Sequence, residues 1–307
     1  MSHAHHHNHH HTHAHAHGTK LLWVTLLNVL ITVTEFVGGF LSGSLSLLSD
    51  AVHNLGDTLS VAFAWFAQRV GGRRASMRYT FGYKRAEILA AFLNAALLIA
   101  ICLFLLKEAY ERWLTPDEID GGLMLVVAII GLLANLFSVL ILQKEKDQNI
   151  NTRAAYLHLL GDTLSSVAVI LGAAAILLWR VYWLDPLITV LVSLYIMYHT
   201  WGVLRQATDI LMQSAPEGVD TPAIVSEIEA LDGIDNVHHL HLWQLNEEQI
   251  HFEAHLTVTP DTDMKGMEEI RRRVQNLLEK HDIRHSTLQI EVEGCLECDK
   301  LIVDEAR

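Results

Sequence analysis

The chain has 307 residues, of which 51% are hydrophobic and 19% charged, and a formal net charge of −13. That acidity argues against a nucleic-acid partner, whose phosphates call for a basic surface, and three cysteines are too few for a disulfide framework. The apolar content is only slightly above the soluble norm, so its distribution decides the class.

The first seventeen residues hold ten of the twenty histidines, interleaved with Ala, Asn and Thr. Such a tract binds metal weakly and promiscuously and has too little apolar surface to fold. Residues 1–18 therefore read as a cytoplasmic metal collector, and histidines standing where a charged and then apolar leader would be argue against a cleavable signal.

Six apolar stretches follow, at roughly 21–42, 45–68, 86–106, 121–142, 154–179 and 186–206. Each is close to the ~20 residues that a helix needs to cross a bilayer. The first holds Asn28 and Glu35, and Asn94 and Asn135 sit in the third and fourth; these four either line a hydrated path or bridge helices. Gly38, Gly39, Ser42, Ser60, Ser165 and Ser166 suit closely approaching helix surfaces. Asp50, near the Ser42-Gly43-Ser44 turn, reads as an exit-path or capping residue. The connection between the second and third stretches carries Arg69, Arg73, Arg74, Arg78, Lys84 and Arg85 and no acid among them, whereas Asp117, Glu118 and Asp120 follow the third. Basic loops stay inside, which predicts cytoplasmic termini.

The second and fifth stretches share one motif, His53-Asn54-Leu55-Gly56-Asp57 and His158-Leu159-Leu160-Gly161-Asp162. An ionisable side chain in mid-membrane costs roughly 2.5–3.5 kcal/mol on insertion scales, so four of them require compensation. Residues four apart share a helix face. Two such helices packed together bring two imidazoles and two carboxylates to one point, the ligand set of a tetrahedral zinc site. Helix-packing hydrogen bonds would explain one such residue; two matching motifs favour ligands.

From about residue 210 the chain turns polar. Apolar spacing predicts a helix over 221–232, strands over Val237–Leu245 and Gln249–Val258 separated by Asn246-Glu247-Glu248, an amphipathic helix over 264–280 and a strand over Thr287–Val292. This is a small α/β sandwich with helices on one sheet face. His238, His239, His241, His251 and His255 fall on the hairpin, and their density beside Glu291 and the Cys295-Leu296-Glu297-Cys298 pair points to metal. On the reducing side of a membrane that pair reads as a metal ligand rather than a disulfide.

Together with the stretch Gly39 to Asp50, Tyr79-Thr80-Phe81-Gly82-Tyr83 with Arg85-Ala86-Glu87, Val237 to Trp243, and His285 to Glu291, these motifs resemble the cation diffusion facilitators, zinc-transporting group. The resemblance covers essentially the whole chain after the histidine tract. It implies a homodimeric metal/H⁺ antiporter with a transport site at His53, Asp57, His158 and Asp162. It also implies a cytoplasmic metallochaperone-like, ferredoxin-like domain that dimerises and binds regulatory zinc, one site at His238, His255 and Glu291 and another at Cys295 and Cys298. In vesicular relatives N-terminal ligands complete the second; here the histidine tract stands in their place. The Asp/His site that some relatives carry after the second span is expected to be missing, because residues 69–74 read Arg-Val-Gly-Gly-Arg-Arg.

The expectation is a membrane α-helical protein of six transmembrane helices (19–208) with a cytoplasmic domain (209–307), in a bacterial inner membrane. Its expected role is proton-coupled zinc efflux. An intramembrane zinc enzyme would need an open coordination position and a general base, and no His-Glu-x-x-His pattern occurs; a membrane-anchored zinc sensor without flux is the other alternative.

Overall fold

The computed structural model describes residues 12–143, 150–292 and 301, and of 12–24, 64, 68, 142, 150–155, 157 and 158 it describes the backbone alone. The first eleven residues of the histidine tract, Cys295 and Cys298 therefore lie outside the described residues, as does the His158 side chain. The chain divides into two compact units, Met1–Ala62 with Asn94–Gly202, and Phe63–Leu93 with Val203–Arg307.

All six apolar stretches fold as helices: α1 (Thr12–Ser42), α2 (Leu45–Gly71), α3 (Ala86–Leu114), α4 (Gly121–Gln143), α5 (Ile150–Trp179) and α6 (Leu184–Leu211). Among the described residues five of these are long and apolar enough to cross a membrane. The exception is α2, as long as the others at 27 residues, whose apolar run is interrupted by Asp50, His53, Asn54 and Asp57. Side chains such as Phe40, Leu164 and Tyr198 are 72–79% exposed along α1, α5 and α6. Apolar surface of that extent suits a lipid solvent.

Inside the first unit the helices approach closely where glycine permits. A Cβ on Gly38 would lie 2.5 Å from a Val127 methyl of α4, and one on Gly56 2.7 Å from Leu98 of α3. Leu47, Met124, Val127, Val169, Ala173 and Ile176 form a buried apolar cluster between α2, α4 and α5. Polar side chains bridge the same helices. Asn28 donates to the Asn54 carbonyl and to Thr58 Oγ1, both at 3.4 Å; Asn94 donates to Ser60 at 2.8 Å; Asn135 donates to Ser166 at 3.2 Å. Of the two readings open for these asparagines, helix bridging is the one seen.

One bridge had no signature in the sequence. Asp185, in the first turn of α6 and fully buried, accepts four hydrogen bonds from the start of α2: the Leu45 and Ser46 amides at 2.8 and 3.1 Å and the Ser44 and Ser46 hydroxyls at 2.6 and 2.7 Å. An anion satisfying the first amides of a helix is its natural cap. Asp50, expected as an exit-path or capping residue, is no cap: it is buried inside α2 and accepts a 2.9 Å bond from Ser165 of α5.

The second unit contains α7 (Thr221–Glu229), β1 (Ile234–Asn246), β2 (Gln249–Val258), α8 (Met264–Lys280) and β3 (His285–Glu291). The strands lie in the order β1-β2-β3, β1 antiparallel to β2 and β2 parallel to β3. Asp220 and Asp263 cap the two helices through the Ala223 and Gly266 amides. Ile224, Ile228, Ile270, Val274 and Leu278 pack on Phe252, Leu256 and Val258, so both helices cover one sheet face. The hairpin turn is one residue tighter than the sequence suggested, because Asn246 pairs with Gln249 and leaves Glu247-Glu248 as the loop.

Candidate metal centres

His53 and Asp57 stand one turn apart on α2, and packing of α5 brings Asp162 against them. His53 Nε2 lies 3.0 Å from Asp162 Oδ1 and 3.9 Å from Asp57 Oδ2, and one donor atom from each of the three falls within 4.8 Å of the others. Tetrahedral zinc, with bonds of about 2.0–2.2 Å to nitrogen and oxygen, holds its ligand atoms roughly 3.3–3.5 Å apart. The two His53 separations fall on either side of that value. His158 precedes Asp162 by one turn of α5, which places its Cα on the same helix face.

The surroundings hold these groups in place and supply excess negative charge. Asn54, next to His53, donates to the buried Glu35 carboxylate of α1 at 2.8 Å, and Gly131 of α4 leaves the space that Glu35 occupies. Ser166 caps the Asp162 carbonyl at 3.0 Å. Tyr195 of α6 presents an edge contact to His53 at 6.4 Å between centroids, a neighbour that the sequence did not announce. No lysine or arginine occurs in residues 45–68 or 154–179. Neutralising the carboxylates within these two helices therefore falls to protons or to a bound cation.

A second cluster lies on the open face of the sheet. His238 Nε2 is 3.3 Å from Glu291 Oε2, and His255 Nδ1 is 2.9 Å from Glu291 Oε1; the three offer donor atoms within 4.8 Å of one another. A β-bulge follows directly after His238. His238 pairs with His255 and His241 with Glu253, three residues advanced on β1 against two on β2. The extra residue is accommodated at His239, whose φ of 49° is left-handed, and the Leu240 amide turns from β2 to donate to the Leu301 carbonyl at 2.8 Å. Strict alternation would have sent His238 and His241 to opposite faces. The bulge puts both on one. Burial, partly opposed by Glu291, holds the His255 imidazole below its ordinary pKa, which favours the neutral ring that binds metal.

His251 and His285 do not join this cluster. They face each other across β2 and β3 with ring centroids 4.2 Å apart, and Trp243 stacks on His251 at 4.3 Å. His239 stacks on His255 at 4.6 Å and stands 5.1 Å from His241.

Comparison with known proteins places both regions. Residues 21–212 match the profile of the cation efflux transmembrane domain, and residues 216–293 that of the cation efflux protein, cytoplasmic domain. The cadmium, cobalt and zinc/H(+)-K(+) antiporter of Bacillus subtilis is 38% identical over 264 residues, 85% of this chain and 85% of its own. Zinc transporter ZitB of Escherichia coli is 36% identical over 299 residues, covering 96% and 94%. The metal cation efflux system protein CzcD of Cupriavidus metallidurans is 38% identical over 268 residues, covering 87% and 84%.

Proposed function

The chain belongs to the cation efflux family, a family of membrane transporters and not of enzymes, and on that premise we propose that it is a proton-coupled zinc exporter of a bacterial inner membrane. The reading divides the chain into a histidine collector (1–18), six membrane spans including α2 (19–208) and a cytoplasmic dimerisation domain (209–307), with both termini in the cytoplasm and a homodimer as the working unit. His53, Asp57, His158 and Asp162 bind the transported ion. The observation that carries this is the 3.0 Å approach of His53 to Asp162, which joins the two separate motifs at one point.

Antiport follows from the chemistry of those groups. Imidazole accepts a metal only when neutral, and carboxylates only when ionised. The 3.0 Å His53–Asp162 approach supports this reading, because a proton shared between the two would occupy the donors that zinc requires. Zinc loading from the cytoplasm therefore releases protons, and protons entering from the far side expel zinc.

The test is zinc uptake by purified protein in reconstituted vesicles. Uptake should rise several-fold when an outwardly directed proton gradient is imposed and collapse when an ionophore dissipates it. Gradient-independent uptake would refute coupling, and an absence of flux in any direction would favour the sensor.

On the same reading His238, His255 and Glu291 hold a regulatory zinc, and Cys295 with Cys298 a second, with the histidine tract as the nearest source of further ligands. Glu291→Ala removes the carboxylate that touches both histidines. Even outer-sphere partners of a metal ligand change affinity by about 10–100-fold, so the loss at the sheet site should be at least that large. Chelator competition on the full-length protein, in an Asp162→Ala background that silences the transport site, measures it; unchanged affinity and stoichiometry would remove this cluster from the metal sites.

A further inference from the structure

The second unit contains a cavity of about 710 Å³ bounded by the loop between α2 and α3 on one side and by β2, the hairpin end and the start of β3 on the other. The loop is held there by its own residues. Gly82, with φ of 70°, turns the chain so that Phe81 lies edge-on to Trp243, His251 and His285, at 5.3–6.5 Å between centroids. Arg85 lies over the Trp243 ring at 5.6 Å, and Lys84 donates to the Gln249 amide oxygen at 2.7 Å.

The charge in this place runs against the rest of the molecule. In a chain of net charge −13, residues 72–85 carry five cations and no acid. Arg73, Lys84 and Arg284 line the cavity; Glu248 and Asp282 line it too, yet among the described residues none of the three cations pairs with a carboxylate. His251, only 3% exposed, lines it as well, and its Nδ1 is buried without a hydrogen-bond partner. Burial first, and then His285, Lys84 and Arg85 against Glu253, hold that imidazole below its ordinary pKa. Lys84 and Arg85 immediately precede α3, whose whole length is apolar enough to span a membrane, so this wall of the cavity belongs to the membrane boundary.

We propose that the cavity formed by Arg73, Lys84, Arg284 and His251 is a binding site for the phosphate of an anionic lipid headgroup. The guanidinium and ammonium groups receive the phosphate oxygens, and the chain position of the loop makes the membrane surface the source of the anion. A bound headgroup would tie the α2–α3 loop to the sheet through charges that otherwise repel one another.

The experiment uses the full-length protein in neutral detergent, with phosphatidylglycerol, phosphatidylcholine or inorganic phosphate added, and reads bound lipid by native mass spectrometry and the thermal transition by fluorescence. Phosphatidylglycerol should bind and stabilise, and phosphatidylcholine should not. Cations near an anionic surface contribute about fivefold in affinity each, so Arg73→Gln with Arg284→Gln should weaken phosphatidylglycerol by about 25-fold. Arg78→Gln, in the same loop but outside the cavity, should leave it as in the parent. Since Arg73 and Arg284 are both exposed, the double variant is expected to fold, and the single Arg284→Gln gives an intermediate loss. Equal phosphatidylglycerol binding by parent and double variant would overturn the site. Stabilisation by inorganic phosphate that phosphatidylglycerol does not exceed would overturn the lipid as its source. Neither readout depends on zinc flux, so the proposed transport function stands or falls separately.

Discussion

Replacing Asp162 by alanine is expected to reduce zinc flux in vesicles by at least about a hundredfold while the protein still elutes as a folded species. The carboxylate is 5% exposed, so the full charge faces a medium of low effective dielectric, where losing one anion next to a dication is worth several kcal/mol. It also removes a partner of His53, leaving a half-buried imidazole without its 3.0 Å contact. Asp57→Ala should act in the same direction. Asp162→Asn separates shape from charge: it keeps the volume and a donor oxygen, and should remain as inactive as alanine if charge neutralisation dominates. Near-parental uptake by Asp162→Ala would remove Asp162 from the transport site.

The second large effect is on stability. Asp185→Ala orphans two amides and two hydroxyls at the start of α2, in a region where all the groups concerned are buried. Hydrogen bonds to a charged group contribute about 1.5–3 kcal/mol each, and a lost cap alone typically costs about 1 kcal/mol. Because the four donors share one acceptor and partly re-pair after its loss, a total near 4 kcal/mol is expected, seen as a markedly lower thermal transition in detergent. Asp185→Asn should lose roughly half as much, since it keeps one acceptor oxygen. A transition within a degree of the parent in the alanine variant would show that the cap contributes nothing.

What the sequence made legible follows from where each signal resides. The α2 and α5 motifs are visible because charge in an apolar run is anomalous by itself, and helical spacing supplies the geometry. The helices of the soluble domain were legible from their periodicity, although α7 ends at Glu229, three residues before the expected 232. Asp185 carried no such mark: an acid preceding a proline at a span boundary looks like any loop residue, and its partners lie some 140 positions away. The sheet cluster was legible in its residues and in the hairpin that sets His238 and His255 on paired positions. The bulge had no signature: strict alternation through His238-His239-Leu240-His241 sends His238 and His241 to opposite faces, and the irregularity that sets both on one is anchored by the distant Leu301. Likewise Phe81 stood out only as part of a family landmark, because an aromatic between glycine and threonine says nothing about which ring it will meet.

The Asp185 cap also makes α2 a lever. The helix is fixed to the first turn of α6 at Leu45 and Ser46, and His53 lies eight residues further along, about 12 Å at 1.5 Å per residue. Asp57 is about 18 Å from the same anchor. A tilt of about 10° about that fulcrum displaces His53 by about 2 Å and Asp57 by about 3 Å, comparable with the length of a zinc–ligand bond. The anchored end of α2 can thus stay still while its middle moves toward or away from α5, and at the proposed transport site a small angular change suffices to make or break coordination.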